Sequence, residues 1–279
     1  MERYAVKLEN HILGILLDDI NHNRLALPML PEIALQTRQV VEHPDSSAAD
    51  IAAIISTDAV ISARLLQVAN SPLYRSSKPI DSVKYAVARL GNTVVRNIVI
   101  SLVLEQLYQT ERDPWLDNHL RTLWQHSIRV AAISHMLAHR YTRLSTDEAL
   151  LAGLIHDIGA IPLYSKAATL PELKEDDAPL HQIIHKLHTL AGTAILDEWN
   201  FPQALIDVVT LHEHLDADND DPIDYVDLVA IANAFDHSQV DWPELYLPKK
   251  LGISPEELTE IIKQGCREVE IIENTFAVR

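Results

Sequence analysis

Glycine is the residue this chain does without. Seven glycines in 279 positions are about a third of the usual frequency of roughly 7%. Alanine, leucine, isoleucine, glutamate and glutamine abound instead. Glycine is costly inside a helix and these residues are not, so the composition predicts an all-α chain with few strands. At this length, 47% hydrophobic residues suffice for a sizeable core.

The apolar spacing agrees. Val6, Ile12, Leu13, Leu16 and Leu17 recur at helical intervals in a leader before Pro28 and Pro31. Ser47 with Asp50 reads as a capping box, and helices are expected over 58–69 and 81–90, the latter stopped by Gly91. The nearly all-apolar run 93–107 reads as a helix enclosed by others. Pro114 opens a long helix over 115–141, and Ser145 with Glu148 caps the next, which ends at His156-Asp157. The polar stretch 174–179 reads as an interior loop, followed by separate helices over 181–187 and 188–199, then 203–211. An acidic loop 216–221 precedes a helix over 224–236. Ser254-Pro255-Glu256-Glu257 caps a C-terminal pair containing Gly265. No fixed-period repeat is present.

Charge and motifs narrow the function. Twenty-three Lys and Arg against 40 Asp and Glu give a net charge of −17, which opposes duplex nucleic acid and anionic lipid. Cys266 is the sole cysteine, which rules out an internal disulfide and reads as a small buried hydrophobe. No apolar run reaches the roughly 18 residues that span a bilayer, and the N-terminus lacks the pattern of a secretion signal; a cytoplasmic protein is expected. Phosphate-binding loops, dinucleotide fingerprints and serine-nucleophile elbows are absent.

Histidine is abundant, 14 in all, and imidazole with carboxylate suits zinc, iron or manganese. The doublet His156-Asp157 lies between Leu154-Ile155 and Ile158-Gly159. Adjacent helical side chains diverge by about 100°, so they converge on one ion only near a helix end. An aspartate in apolar surroundings needs a partner. The bland alternative is a capping aspartate beside a histidine satisfied within the core. His135 and His139, four apart, read as a solvent-facing pair in preference to a second metal clip. Arg75, Lys78, Lys84, Arg89 and Arg96 form the densest basic neighbourhood, read as scattered surface charges.

Together these residues resemble a family. His126 in Trp124-Gln125-His126-Ser127, followed 30 positions later by the doublet, is similar to the first half of the metal site of HD-superfamily phosphohydrolases. Leu27-Pro28-Met29-Leu30-Pro31, Asp58, Arg64-Leu65-Leu66 and Ala69-Asn70-Ser71-Pro72-Leu73-Tyr74 resemble the HDOD branch, and 86–91, Gly192, Trp199 and Pro202 continue the match. The resemblance implies a multi-helix bundle with an HD-like five-helix core. It places a leader helix at 1–24, the HDOD domain at 25–221, and C-terminal helices at 222–279 packed on it or completing it. It also implies metal ligands at His126, His156, Asp157, His188, His212 and Asn233. The alternatives are a surface stripe with His181 and His185 for His188, and for His212 a helix-end histidine with Glu213 and His214 solvated.

The departures bear on activity. Compared with the related cyclic dinucleotide phosphodiesterases, Leu211 replaces the first of a histidine pair, Asn233 an aspartate and Ala160 a lysine; the Gly-Tyr-Pro loop is missing, and Thr122 supplies no carboxylate a turn before His126. The resemblance thus implies a regulatory signal-transduction module without turnover, retaining a site for a divalent metal (Fe, Mn, Zn or Mg). Its partner would be a signalling protein in trans or a small phosphate-containing ligand. The alternative is a metal-dependent phosphohydrolase acting on nucleotides or cyclic dinucleotides, with Asp157 central to catalysis.

Overall fold

Hydrophobic spacing of 3.6 residues and well-formed caps build a molecule whose regular elements are all α-helices among the described residues. The computed structural model describes residues 2–22, 24–74, 78–110, 113–175, 177–215, 221–236 and 250–276.

The N-terminal half is a bundle of five helices, α2 (Glu32–Glu42), α3 (Ala48–Ile55), α4 (Ala59–Ala69), α5 (Val83–Leu90) and α6 (Asn92–Leu107). Ser47 and Asp50 form the expected reciprocal capping box of α3, and Asp58 caps α4 by accepting from the Val60 and Ile61 amides. The apolar helix α6 is the buried axis, from Val95 to Glu105. Its one buried carboxylate, Glu105, accepts a 2.7 Å hydrogen bond from Arg64. Asn70 clasps the chain beyond α4, accepting from the Ile80 amide at 2.8 Å and donating to the Ile80 carbonyl at 2.7 Å.

The second half is organised on α7 (Pro114–Tyr141), begun by Asp113 as N-cap and Pro114 at the first helical position. At 1.5 Å per residue α7 runs about 42 Å. It packs against α8 (Thr146–Ile155), α9 (Ala160–Ala167), α13 (Tyr225–Asp236) and the final helix, α15 (Cys266–Phe276). Helix α11 (Asp177–Glu198) lies between α9, α12 (Gln203–Leu211) and the leader α1 (Glu2–Asn21). The short helices α10 (Pro171–Glu175) and α14 (Pro255–Gln264) complete the order. The halves meet where α6 packs on α8. There Arg96 and Asn97 bond the Glu148 carboxylate at 3.3 and 3.2 Å, so Ser145 caps α8 alone instead of closing the expected box.

Three expectations are corrected. The stretch 174–179 is not a loop: α10 runs to Glu175 and α11 begins at Asp177. Pro179 falls in the first turn of α11, where a missing N–H costs nothing. Nor does α11 break at His188, because no glycine or proline interrupts it between Leu180 and Ala191. Cys266 is exposed, not buried; as the first residue of α15 it follows the buried Gly265. Arg75 and most of the acidic loop 216–221 lie outside the described residues, while Arg96 is engaged with Glu148. No helix is long and apolar enough to cross a membrane among the described residues.

Candidate metal centre

Five of the six residues singled out in the sequence converge on one point. His126 comes from the middle of α7, and His156 and Asp157 from the end of α8. His188 comes from α11, and His212 from the C-cap of α12. The doublet converges because the helix stops there: His156 is the C-cap and the Ile158 amide turns back to the Ile155 carbonyl at 3.0 Å. All four imidazoles are buried, His156 and His212 completely. This removes the surface-stripe reading of His188; His212 does stand at a helix end, as its alternative reading had it, but with its ring buried in the cluster.

Hydrogen bonds on the far nitrogens set the direction of each ring. Nδ1 of His156 donates to the Gly153 carbonyl at 2.7 Å, Nδ1 of His188 to the Ile184 and His185 carbonyls at 3.0 Å each, and Nδ1 of His212 to the Val208 carbonyl at 3.1 Å. Nδ1 of His126 donates to Asp236 at 2.7 Å. Carbonyls and carboxylates only accept, so the proton of each neutral ring is on Nδ1 and every Nε2 presents a lone pair. These lone pairs face one another at 3.1 Å for His126 and His156 and at 3.2 Å for His188 and His212.

Asp157 joins the two pairs. Its Oδ2 lies 3.6 and 3.5 Å from Nε2 of His126 and His156, and its Oδ1 lies 3.4 Å from Nε2 of both His188 and His212. The cluster therefore comprises two donor triads sharing one carboxylate, each compact enough for a cation. Ligands about 2.1 Å from an ion in tetrahedral or octahedral array stand roughly 3.0–3.4 Å apart, so the donors fit a divalent ion at each triad. Burial pushes the pKa of His156 down to about 3. Burial would raise Asp157, but the surrounding imidazoles hold its carboxyl well below the usual range. For His212 burial is likewise outweighed, and Asp157 lifts its pKa.

Glycine sets the approach of the elements. A methyl added at Gly159 would lie 1.9 Å from the His188 carbonyl oxygen and 2.3 Å from the Gly192 nitrogen, so the turn after Asp157 touches α11 at the histidine it carries. The donors open on a cleft of about 360 Å³. His119, Thr122, Tyr164, His181 and His185 line it, and no lysine or arginine does so among the described residues.

A sequence profile for the HDOD domain matches residues 27–215. The chain belongs to the HDOD family. A presumed metal-dependent phosphohydrolase from Shewanella amazonensis, known by crystal structure, is similar to it with 30% identity and a TM-score of 0.82, over 96% of this chain and 99% of that one. An HDOD domain protein from Geobacter sulfurreducens shares the fold at 21% identity and a TM-score of 0.70, covering 98% of this chain and 100% of its own. An uncharacterized protein of Treponema pallidum (strain Nichols) is 27% identical over 221 residues, which are 74% of this chain and 41% of that protein. This chain thus spans about two-fifths of that relative.

Within this HDOD protein the sixth residue, Asn233, is buried beside the cluster, with Nδ2 3.5 Å from Glu213 Oε1 and Oδ1 without a hydrogen-bond partner. Two residues given no role in the sequence prove prominent. Asp236 holds His126 and is itself held by Arg129, at 2.7 and 3.0 Å. These partners keep its carboxyl far below the usual range although burial works to raise it. Glu213, solvated in the alternative reading of His212, points Oε1 at the second triad. The available signal was spacing, since Asp236 follows Asn233 and Arg129 follows His126 by three positions on one helix face. The solvent-facing reading of His135 is corrected: it is buried, with Nδ1 unpartnered, and only His139 is exposed.

Proposed function

We propose that this HDOD protein is a signal-transduction module that holds divalent metal at the two triads and acts by contact with a protein partner or by retaining a small phosphate-containing ligand in the cleft. His126, His156 and Asp157 would hold one ion, and Asp157, His188 and His212 the other. The observation that carries this reading is the pairing of two compact donor triads with a cleft lined by no lysine or arginine among the described residues. Phosphoester hydrolysis calls for both an activated water and positive groups that stabilise the developing charge. Ala160, buried and uncharged, supports the same conclusion.

One observation favours phosphohydrolase activity: a carboxylate shared between two donor triads at a cleft suits two-ion hydrolysis, in which the ions supply polarisation of a phosphoryl oxygen and activation of water. The test is to load the purified protein with Mn, Fe, Zn or Mg in turn. It is then assayed on a generic phosphodiester, nucleotides and cyclic dinucleotides beside Asp157→Ala. Metal binding without turnover is expected. Turnover abolished by Asp157→Ala would overturn the non-catalytic reading.

A further inference from the structure

The two-ion reading leaves a charge imbalance. Two divalent ions bring four positive charges, and the five converging donors contain one carboxylate, Asp157. Buried charge needs close compensation. Resting on that reading, the geometry points to Glu213 as a further ligand, completing the ion site at His188 and His212 from the cleft side.

The position of Glu213 supports this. Its Oε1 is 3.7 Å from Nε2 of His188 and 3.7 Å from Nε2 of His212, which are 3.2 Å apart. Three donor atoms thus form a small triangle. Both Nδ1 atoms are already committed to backbone carbonyls, so Glu213 does not serve as the outer partner that orients a ligating imidazole, a role played from the opposite nitrogen. A carboxylate oxygen set against two imidazole nitrogens is favourable only with a proton or a metal cation among them, and the triangle has the dimensions of a cation site. Its other contacts are weak, an Asn233 amide at 3.5 Å and the exposed His185 ring at 3.9 Å. At 32% exposure the side chain reaches both cleft and cluster, so the fit requires only a small rotation.

The test uses the full chain, stripped of metal and titrated with Zn²⁺ and Co²⁺ by calorimetry, with the Co²⁺ absorption spectrum as a second readout. Wild type is expected to take up two ions. Glu213→Gln, nearly the same shape without the charge, is expected to bind the first unchanged and the second at least tenfold more weakly, in the range seen when a site's supporting groups are lost, with an altered Co²⁺ spectrum. Glu213→Gln that binds both ions with wild-type affinity and spectrum would overturn the assignment while leaving the two-ion reading intact. Folded wild-type protein that binds no metal would overturn both. Should Glu213→Gln lose its helical circular dichroism, Glu213→Ala is subject to the same criteria.

Discussion

Gly159→Ala tests how closely the fold and the metal centre depend on one another. The added methyl would sit 1.9 Å from the His188 carbonyl oxygen, 2.3 Å from the Gly192 nitrogen and 2.9 Å from the Gly192 Cα. All three are backbone atoms, so no rotamer change relieves the overlap, and α11 must retreat by about 1 Å or more to restore ordinary contact. Overpacking where side chains can adjust costs about 1–3 kcal/mol; here about 3 kcal/mol is expected. In a chain of this size that lowers Tm by about 6–12 °C. The retreat also draws His188 away from His212 and Asp157, so the ion at that triad weakens while the His126–His156 triad is spared. Gly192→Ala is the comparison: it meets a single side-chain methyl, of Val209, at 2.4 Å and no backbone atom nearer than 3.3 Å, so a smaller loss is expected. Thermal melts by circular dichroism with zinc titrations read both effects. A Gly159→Ala protein melting within about 2 °C of wild type would show that the turn and α11 are not in tight contact.

Asp236→Asn removes the charge that holds His126 and is expected to weaken metal at the first triad about 10–100-fold, measured by competition with a chelating dye. Tyr74 donates a 2.6 Å hydrogen bond to Asp147, so Tyr74→Phe should cost about 1.5–3 kcal/mol, read from urea midpoints. Burial pushes the pKa of His135 down, with Asp147 and Glu268 pulling part of the way back. On acidification the unfolded chain therefore takes up this proton first, near pH 6.5. Stability is full above that pH and is lost below it, toward the folded pKa, by up to about 1.4 kcal/mol per pH unit. Wild type should lose more stability than His135→Gln between pH 7 and pH 5.5; equal losses in urea melts would exclude the effect.

What the sequence made legible was local. Caps at Ser47 and Ser254 and the stop at Gly91 are read from neighbours in the chain, and they appear where expected. The polar run 174–179 misled because charge and proline mark a helix's first turn as readily as a loop. His126, His156, Asp157, His188 and His212 were found through resemblance; their convergence was beyond spacing alone, since they come from four helices. Asp236 escaped notice because it meets His126 only after 110 residues of chain have folded between them. Trp199 and Pro28 were recognisable as family positions, but their reason is tertiary: the indole donates to the Pro28 carbonyl at 3.0 Å, across the whole HDOD region.

The rings at 156, 188 and 212 take their aim from carbonyls within their own stretches of chain, so they are oriented once their helices wind. The ring at 126 alone is steered from a distance, by a carboxylate lying 21 residues past the last position of the matched HDOD segment. A protein trimmed at that boundary would keep every converging side chain yet lose the carboxylate that receives Nδ1 of one imidazole. The tail beyond the recognised segment is in this sense a strut of the centre.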